Sequence, residues 1–410
     1  MRHDAGVRPE RSPLRLRLLH VFGGPFPTVQ GTQALVATTC RLLAAAGHDV
    51  HLLCYAHSAF EREEPFAIHR IPDAPAFSCE RSGPAWRKIA LDLSLAAGCR
   101  RLTARLRPDA IHAHHYEALF AAALADPLRR TPRVLHLHAL MEPELYMYFR
   151  PAFARAARAL GRRIDADAPL LADRVLTLDA AARATLASSG FPERRIGVAP
   201  IPASPPPGCA PIADRAPTPG ARPRAVYAGN LDTYQGIEVL LAAFRTAPAL
   251  REALDLEIVT ASDARGLEAE ISRLGLAGHV RVSPHGKVRD AWLAVAGADV
   301  AVVPRSAAGG YPVKLVNALS AGVATIADSA IAVPLEHGVD AWLVDMRSSE
   351  ELAAGLRTLA SSTELRDRLA RGALLAARRL HDPARYVAAV EEAYAALTRA
   401  GTIGAPRRCR

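Results

Sequence analysis

Residues 298–328 read ADVAVVPRSAAGGYPVKLVNALSAGVATIAD, and the fold is decided here. The run Val300-Ala301-Val302-Val303 is short, β-branched and uninterrupted, which suits a parallel strand buried on both faces. Small residues follow as a loop. Pro312 stands where a first helical turn tolerates a missing N–H, and Gly322 where a helix ends before a strand over 323–326. In such a strand–loop–helix–strand unit the helix N-terminus carries unsatisfied N–H groups and partial positive charge. Gly309-Gly310 admits a ligand close to the backbone, and Arg305 and Lys314 flank the turn. The pattern invites an anion, although a strand, a glycine pair and a helix occur in any doubly wound protein.

Outward from this unit the same alternation repeats. In the first half, strands are predicted at 14–21, 49–55, 110–113, 133–137, 175–178 and 196–198, with a helix over 32–46 capped by Gly47. In the second half they fall at 225–228, 256–260, 279–282, 300–303, 323–326 and 342–344. Strands separated by helical stretches imply parallel sheets covered on both faces. The text between the halves is PIPASPPPGCAPIADRAPTPGARPR, too rich in proline for a central strand or a long helix. The predicted organisation is a polar tail over 1–13, a Rossmann-like domain over 14–199, a linker over 200–224, a second Rossmann-like domain over 225–383, a terminal helix over 384–399 and a basic tail over 400–410. A ligand is expected where the strand carboxyl ends of the two α/β domains face one another.

Composition narrows the class of function. With 410 residues and half of them apolar, the chain can bury two ordinary cores. The formal charge of +10 is carried almost wholly by arginine, since Lys88, Lys287 and Lys314 are the only lysines. Six dispersed cysteines form no Cys-x-x-Cys pair, the pattern of a reduced cytoplasmic chain without a zinc site. No apolar run approaches the ~18 residues of a membrane span. Any membrane contact is therefore expected to be peripheral, on the inner face. The first connecting loop, GGPFPTVQG, is not Gly-x-Gly-x-x-Gly, and no acidic residue ends the second strand at Cys54-Tyr55. That disfavours a dinucleotide-dependent dehydrogenase.

Several segments together resemble the family 4 glycosyltransferases of GT-B architecture. They are QGTQALVATTCRLLAAAGHDVHLL, RPDAIHAHH and LADRVLTLDAAARATLASSGFPERRIGVAP in the first half, and VYAGNLDTYQGIEVLLAAF, GADVAVVPRS and GGYPVKLVNALSAGVATIAD in the second. The resemblance runs over about 16–394 in the family's order and spacing. It implies two facing Rossmann-like domains and transfer, with retention of configuration, of a sugar from a nucleoside-diphosphate sugar to a glycan, lipid-linked or small-molecule acceptor. The alternative is a degenerate relative that binds a nucleotide sugar or a partner without turnover.

The resemblance also proposes site residues. Donor-binding positions are Gly229, Asn230, Gln235, Lys287, Arg305, Gly309, Gly310, Tyr311, Pro312, Val313, Lys314 and Asn317. Gly309 and Asn317 stand where the family usually has two glutamates, and Asn230 and Gln235 where it usually has the Arg and Lys that hold the diphosphate. Arg305 and Lys314 are the cations left to replace them, so no metal or other cofactor is expected. Gly31, Thr32 and Gln33 resemble the family's glycine loop, which approaches the diphosphate or the acceptor; a plain helix cap at Thr32 is the simpler alternative.

His112 and His114 follow a strand end, and His114 matches the histidine that contacts the donor sugar in related transferases, which makes it the catalytic candidate. His138 is a second cleft candidate. Asp165-Ala166-Asp167 spells a metal-binding Asp-x-Asp, but it lies in a helical stretch where neighbouring positions diverge. Arginine clusters around 87–107 and 150–163 suit a solvated helix face or an anionic bilayer. Neither belongs to a nucleic-acid recognition module, so no nucleic-acid partner is expected.

Overall fold

The structure, a computed structural model, describes residues 15–28, 31–56, 63–72, 88–206, 208–211, 222–306 and 310–399. Both predicted tails, Gly309 and, within the proline-rich linker, residues 207 and 212–221 lie outside these residues. The first sheet contains β1 (Arg17–Pro25), β2 (Asp49–Tyr55), β3 (Ala67–Arg70), β4 (Ala110–His114), β5 (Arg133–Leu137), β6 (Arg174–Thr177) and β7 (Ile196–Val198). The second contains β8 (Arg224–Ala228), β9 (Asp255–Thr260), β10 (Val280–Pro284), β11 (Val300–Val303), β12 (Ala324–Asp328) and β13 (Trp342–Val344). Strand order is β3-β2-β1-β4-β5-β6-β7 in one and β10-β9-β8-β11-β12-β13 in the other, with parallel pairing throughout. This is the expected pair of Rossmann-like domains. In each sheet the order reverses once, between β1 and β4 and between β8 and β11, which fixes where a crevice opens.

Two strand readings change. β1 continues through Gly23-Gly24 to Pro25 with a register shift, where the sequence suggested a loop. β3 was not read at all: AIHR is a four-residue edge strand, half-buried to exposed, too short to show a period.

The terminal helix Pro383–Arg399 is the C-terminal half's last element, yet it packs into the N-terminal core. Tyr386, Val390, Tyr394 and Leu397 are buried beside Leu35, Val36 and Leu43 of helix Gly31–Ala45. Three polar contacts fasten it: Tyr386 Oη to Thr39 Oγ1 at 2.5 Å, Tyr394 Oη to His112 Nδ1 at 2.6 Å, and His48 Nε2 to Glu391 Oε1 at 3.1 Å. The two chain crossings between domains also touch, since His381 Nδ1 meets the Ile201 carbonyl at 2.8 Å and Ala203 N–H donates to the His381 carbonyl.

Candidate active site

A cavity of about 580 Å³ lies between the carboxyl edges of the two sheets. Its C-terminal wall begins where β8 ends. Gly229 leaves room for the Lys314 ammonium, which a Cβ would meet at 2.6 Å. Lys314 sits in the first turn of helix Val313–Ser320, and its Nζ donates to Tyr227 Oη at 2.8 Å and to Gln235 Oε1 at 2.6 Å. Gln235 Nε2 donates in turn to Asn230 Oδ1 at 2.7 Å, and Asn230 Nδ2 to Asp232 Oδ2 at 2.9 Å. The Gln235 amide, itself held by Asn230, thus orients the Lys314 ammonium.

Burial drives the Lys314 ammonium well below its ordinary pKa, and the Arg305 charge adds to that. Arg305, at the end of β11, is itself only 9 % exposed and lies 5.1 Å over the Tyr234 ring, its pKa also lowered by burial. Two desolvated cations beside the start of a helix form a strongly anion-seeking surface.

The N-terminal wall is built by Gly31 and Thr32 at one helix start and by His115, His138, Glu144 and Tyr148 beyond β4 and β5. Gly31 faces Val313 across the cleft: a Cβ on it would lie 3.4 Å from the Val313 side chain. Gly310, at φ +77°, lies against the His138 carbonyl so closely that a Cβ would sit 2.2 Å from that oxygen. The two edges therefore touch at this point.

His114 requires a correction. It was expected to project into the cleft, but β4 runs through it, it is fully buried and it does not line the cavity. The reversal into helix His115–Ala125 is made by a single residue, His115 at φ +72°, so His115 takes the edge position. His114 instead lies beneath His138 in a layer of five buried imidazoles with His20, His112 and His136. Register explains the layer: His20 pairs with His112, and His114 with His136, all on the face covered by the Gly31 and Pro383 helices.

Two chains of contacts cross this layer. His20 Nδ1 to His114 Nε2 is 3.0 Å and His114 Nδ1 to His138 Nε2 is 3.3 Å; His112 Nε2 to His136 Nδ1 is 3.2 Å. Burial lowers His20 and His136 to about 3 and takes His112, His114 and His138 well below the usual imidazole range, with mutual repulsion adding to it for His20, His112, His114 and His138. These rings are neutral near pH 7.

Of the other expected residues, Asn230, Gln235, Tyr311, Pro312, Val313 and Asn317 line the cavity. Gln33 is buried and Lys287 is exposed ahead of helix Val288–Ala296, both off the wall. Asp165 and Asp167 do not converge. Asp165 accepts from Tyr116 Oη at 2.5 Å and from the Met141 and Glu142 amides at 2.8 and 2.9 Å, while Asp167 pairs with Arg163.

Sequence reasoning missed Tyr234, His285, Trp292 and Glu144, the one carboxylate among the described lining residues. His115, the third histidine of IHAHH, and Glu144, the second glutamate of MEPEL, were visible, but no spacing rule marks them. Several polar atoms on lining residues, among them Thr28 Oγ1, His138 Nδ1, Trp292 Nε1 and Tyr311 Oη, are buried without a hydrogen-bond partner among the described residues. Unpaired polar atoms at a cavity wall mark a place for a polar ligand.

Two α/β domains with switch points face to face, and a cleft holding desolvated cations on one side and histidines on the other, define a GT-B transferase. Family models agree: "Glycosyltransferase Family 4" matches residues 29–203 and "Glycosyl transferases group 1" matches 212–374. The chain belongs to these glycosyltransferases and is a transferase.

Among solved structures it is similar to a sucrose-phosphate synthase from Thermosynechococcus elongatus, with TM-score 0.78 and 18 % identity over 94 % of this chain and 100 % of that one. Anabaena HepE in complex with UDP and glucose gives TM-score 0.72 and 17 % identity over 93 % and 100 %. WaaG, a glycosyltransferase involved in lipopolysaccharide biosynthesis, gives 0.69 and 15 % over 93 % and 99 %. No curated protein matches the chain.

Proposed function

We propose that the chain transfers a sugar from a nucleoside-diphosphate sugar, held by the C-terminal domain, to a glycan, lipid-linked or small-molecule acceptor that enters from the N-terminal side. The observation that carries this reading is the Lys314 ammonium, buried at a helix start with neutral hydrogen-bond partners and with Arg305 nearby. A diphosphate there would compensate both charges. As the leaving group it gains negative charge in the transition state, where prepositioned cations and helix amides stabilise it most. His138 and Asn317 both line the cavity, which supports a hydrogen bond from the first to the sugar and an amide contact from the second to a ribose hydroxyl. HepE, crystallised with UDP-glucose, supports this donor class by analogy. Retention of configuration rests on family likeness, and two cations make a bridging divalent ion unnecessary.

The acceptor side carries a surface suited to anionic lipid. Ile89 and Leu93 on helix Lys88–Leu106, and Phe120, Leu124 and Leu128 on and after helix His115–Ala125, are all exposed, and these helices pack together. Arg100, Arg101 and Arg105 share the first helix. Among the described residues, no helix is long and apolar enough to cross a membrane.

Titration with a panel of nucleotide sugars, followed by product assay with bacterial glycan and lipid extracts, tests the reading. Transfer from one donor supports it. Binding without transfer to any acceptor supports the degenerate alternative instead, and sedimentation with anionic against neutral vesicles tests the lipid contact separately.

A further inference from the structure

We propose that His20, Cys40 and His114 form a binding site for a thiophilic metal ion, Zn²⁺ or Cu⁺, inside the N-terminal domain. One ligand atom from each lies within 4.8 Å of the other two, and all three side chains are fully buried. They come from three elements: β1, helix Gly31–Ala45 and β4. The Cys40 thiol is free and makes no hydrogen bond among the described residues.

Two imidazoles and a thiol are the donors that borderline and soft ions select. Bonds of about 2.0 Å to nitrogen and 2.3 Å to sulfur would hold ligand atoms roughly 3.3 to 3.7 Å apart. His20 Nδ1 and His114 Nε2 are already 3.0 Å apart, so the two imidazoles need only small adjustments, while the thiol must close from within 4.8 Å. A second set of atoms, from His112, His114 and His136, is equally compact. It offers only neutral donors, leaving the whole ionic charge uncompensated in the core, whereas a Cys40 thiolate cancels one unit.

Binding exchanges the thiol proton for the metal, and the proton leaves to solvent. His114 Nδ1 keeps its contact with His138 Nε2, the outer-shell arrangement that fixes a ligand's tautomer. The ion would tie the helix whose first residues line the cavity to the two strands at the switch point.

The test uses the full chain, reduced and apo, titrated with Zn²⁺, with Cu⁺ under anaerobic conditions, and with Co²⁺ as a spectroscopic probe. The expected result is one ion per chain in competition with a chelator, a thiolate-to-cobalt charge-transfer band in the near ultraviolet, and a higher Tm with Zn²⁺. Cys40→Ala should lose the band and the Tm rise, while His136→Asn keeps both. A parent chain that binds none of the three ions above the chelator overturns the proposal without recourse to any variant. Binding that survives Cys40→Ala, or that His136→Asn abolishes, overturns it as well.

Discussion

His114 Nδ1 lies 3.3 Å from His138 Nε2, and only the second of these imidazoles lines the cavity. The His114 ring fixes the orientation and tautomer of the ring that lines the cavity. His138→Ala is expected to lower kcat about ten- to a hundredfold, the loss of one hydrogen bond to a group that gains charge. His114→Leu should lower it less, by about tenfold, because only the support of His138 goes. His114→Asn, which can still hydrogen-bond, should recover part of that loss. Affinity for a nucleoside diphosphate lacking a sugar should be unchanged in all three. Steady-state kinetics beside calorimetry separates the effects, and a silent His138→Ala with an inactive His114→Leu would reverse the assignment.

Lys314 and Arg305 should show the opposite split. Lys314→Met removes the ammonium held by Tyr227 and Gln235. Losing a charge-assisted hydrogen bond costs roughly 1.5 to 3 kcal/mol, or on the order of ten- to a hundredfold in donor affinity. Arg305→Gln should cost a similar factor. Calorimetry with the nucleoside diphosphate alone reads this out, and unchanged affinity in both variants would remove the diphosphate from this wall.

The imidazole layer makes stability depend on pH. His20 and His136 titrate near 6.5 when unfolded and at about 3 when folded. Between these values the unfolded chain binds more protons, so stability is complete above about pH 6.5 and falls as pH drops towards 3. At pH 5.5 each such group removes about 1.4 kcal/mol, or nearly 3 kcal/mol for the pair. Urea unfolding midpoints should therefore fall steeply from pH 7.5 to 5.5. His136→Phe should flatten that slope even where it lowers the midpoint itself.

The fold was legible because buried parallel strands announce themselves: Val300-Ala301-Val302-Val303, and the runs that became β5 and β9, need no context beyond their composition. Boundaries were less so. Whether a strand stops at Ala113 or at His114 depends on which residue accepts positive φ, and no periodicity carries that choice. The same single-residue difference moved His114 from the cavity to the core. Nothing in Tyr386 or Tyr394 shows that they leave their own half of the chain to pack against Thr39 and His112, because long-range partners are set by how the domains stack. On the C-terminal wall the residues read in advance lie in two short segments, 229–235 and 305–317, whereas Tyr234, His285 and Trp292 carry no pattern that marks them.

The two aspartates of Asp-x-Asp should separate cleanly by mutation. Asp165 is buried and accepts two backbone amides and a tyrosine hydroxyl, so Asp165→Ala leaves those donors unpaired. A loss of about 2 to 4 kcal/mol in unfolding free energy is expected. Asp167 pairs with Arg163 at the surface, and Asp167→Ala should be nearly neutral. Neither change should make transfer depend on manganese. Activity abolished by EDTA and restored by Mn²⁺ in the parent would instead call for a metal at the diphosphate.

Gly310 packs against the N-terminal wall of the cleft. Its φ of +77° costs an L-residue about 1 to 2 kcal/mol, and any Cβ would lie 2.2 Å from the His138 carbonyl, nearer than atoms can pack. Neither partner can yield easily: the carbonyl belongs to backbone just past β5, and Ala139 Cβ is 3.3 Å away on the same side. Gly310→Ala must therefore either bend the donor loop or part the cleft. Both displace the start of helix Val313–Ser320, and with it Lys314, relative to His138. Transfer should fall by at least tenfold while each domain's own core stays intact, because the clash lies between the domains. Global unfolding should shift little, and small-angle scattering should report a larger radius of gyration if the cleft parts. A variant as active and as compact as the parent would mean that this contact does not set the distance across which the sugar passes.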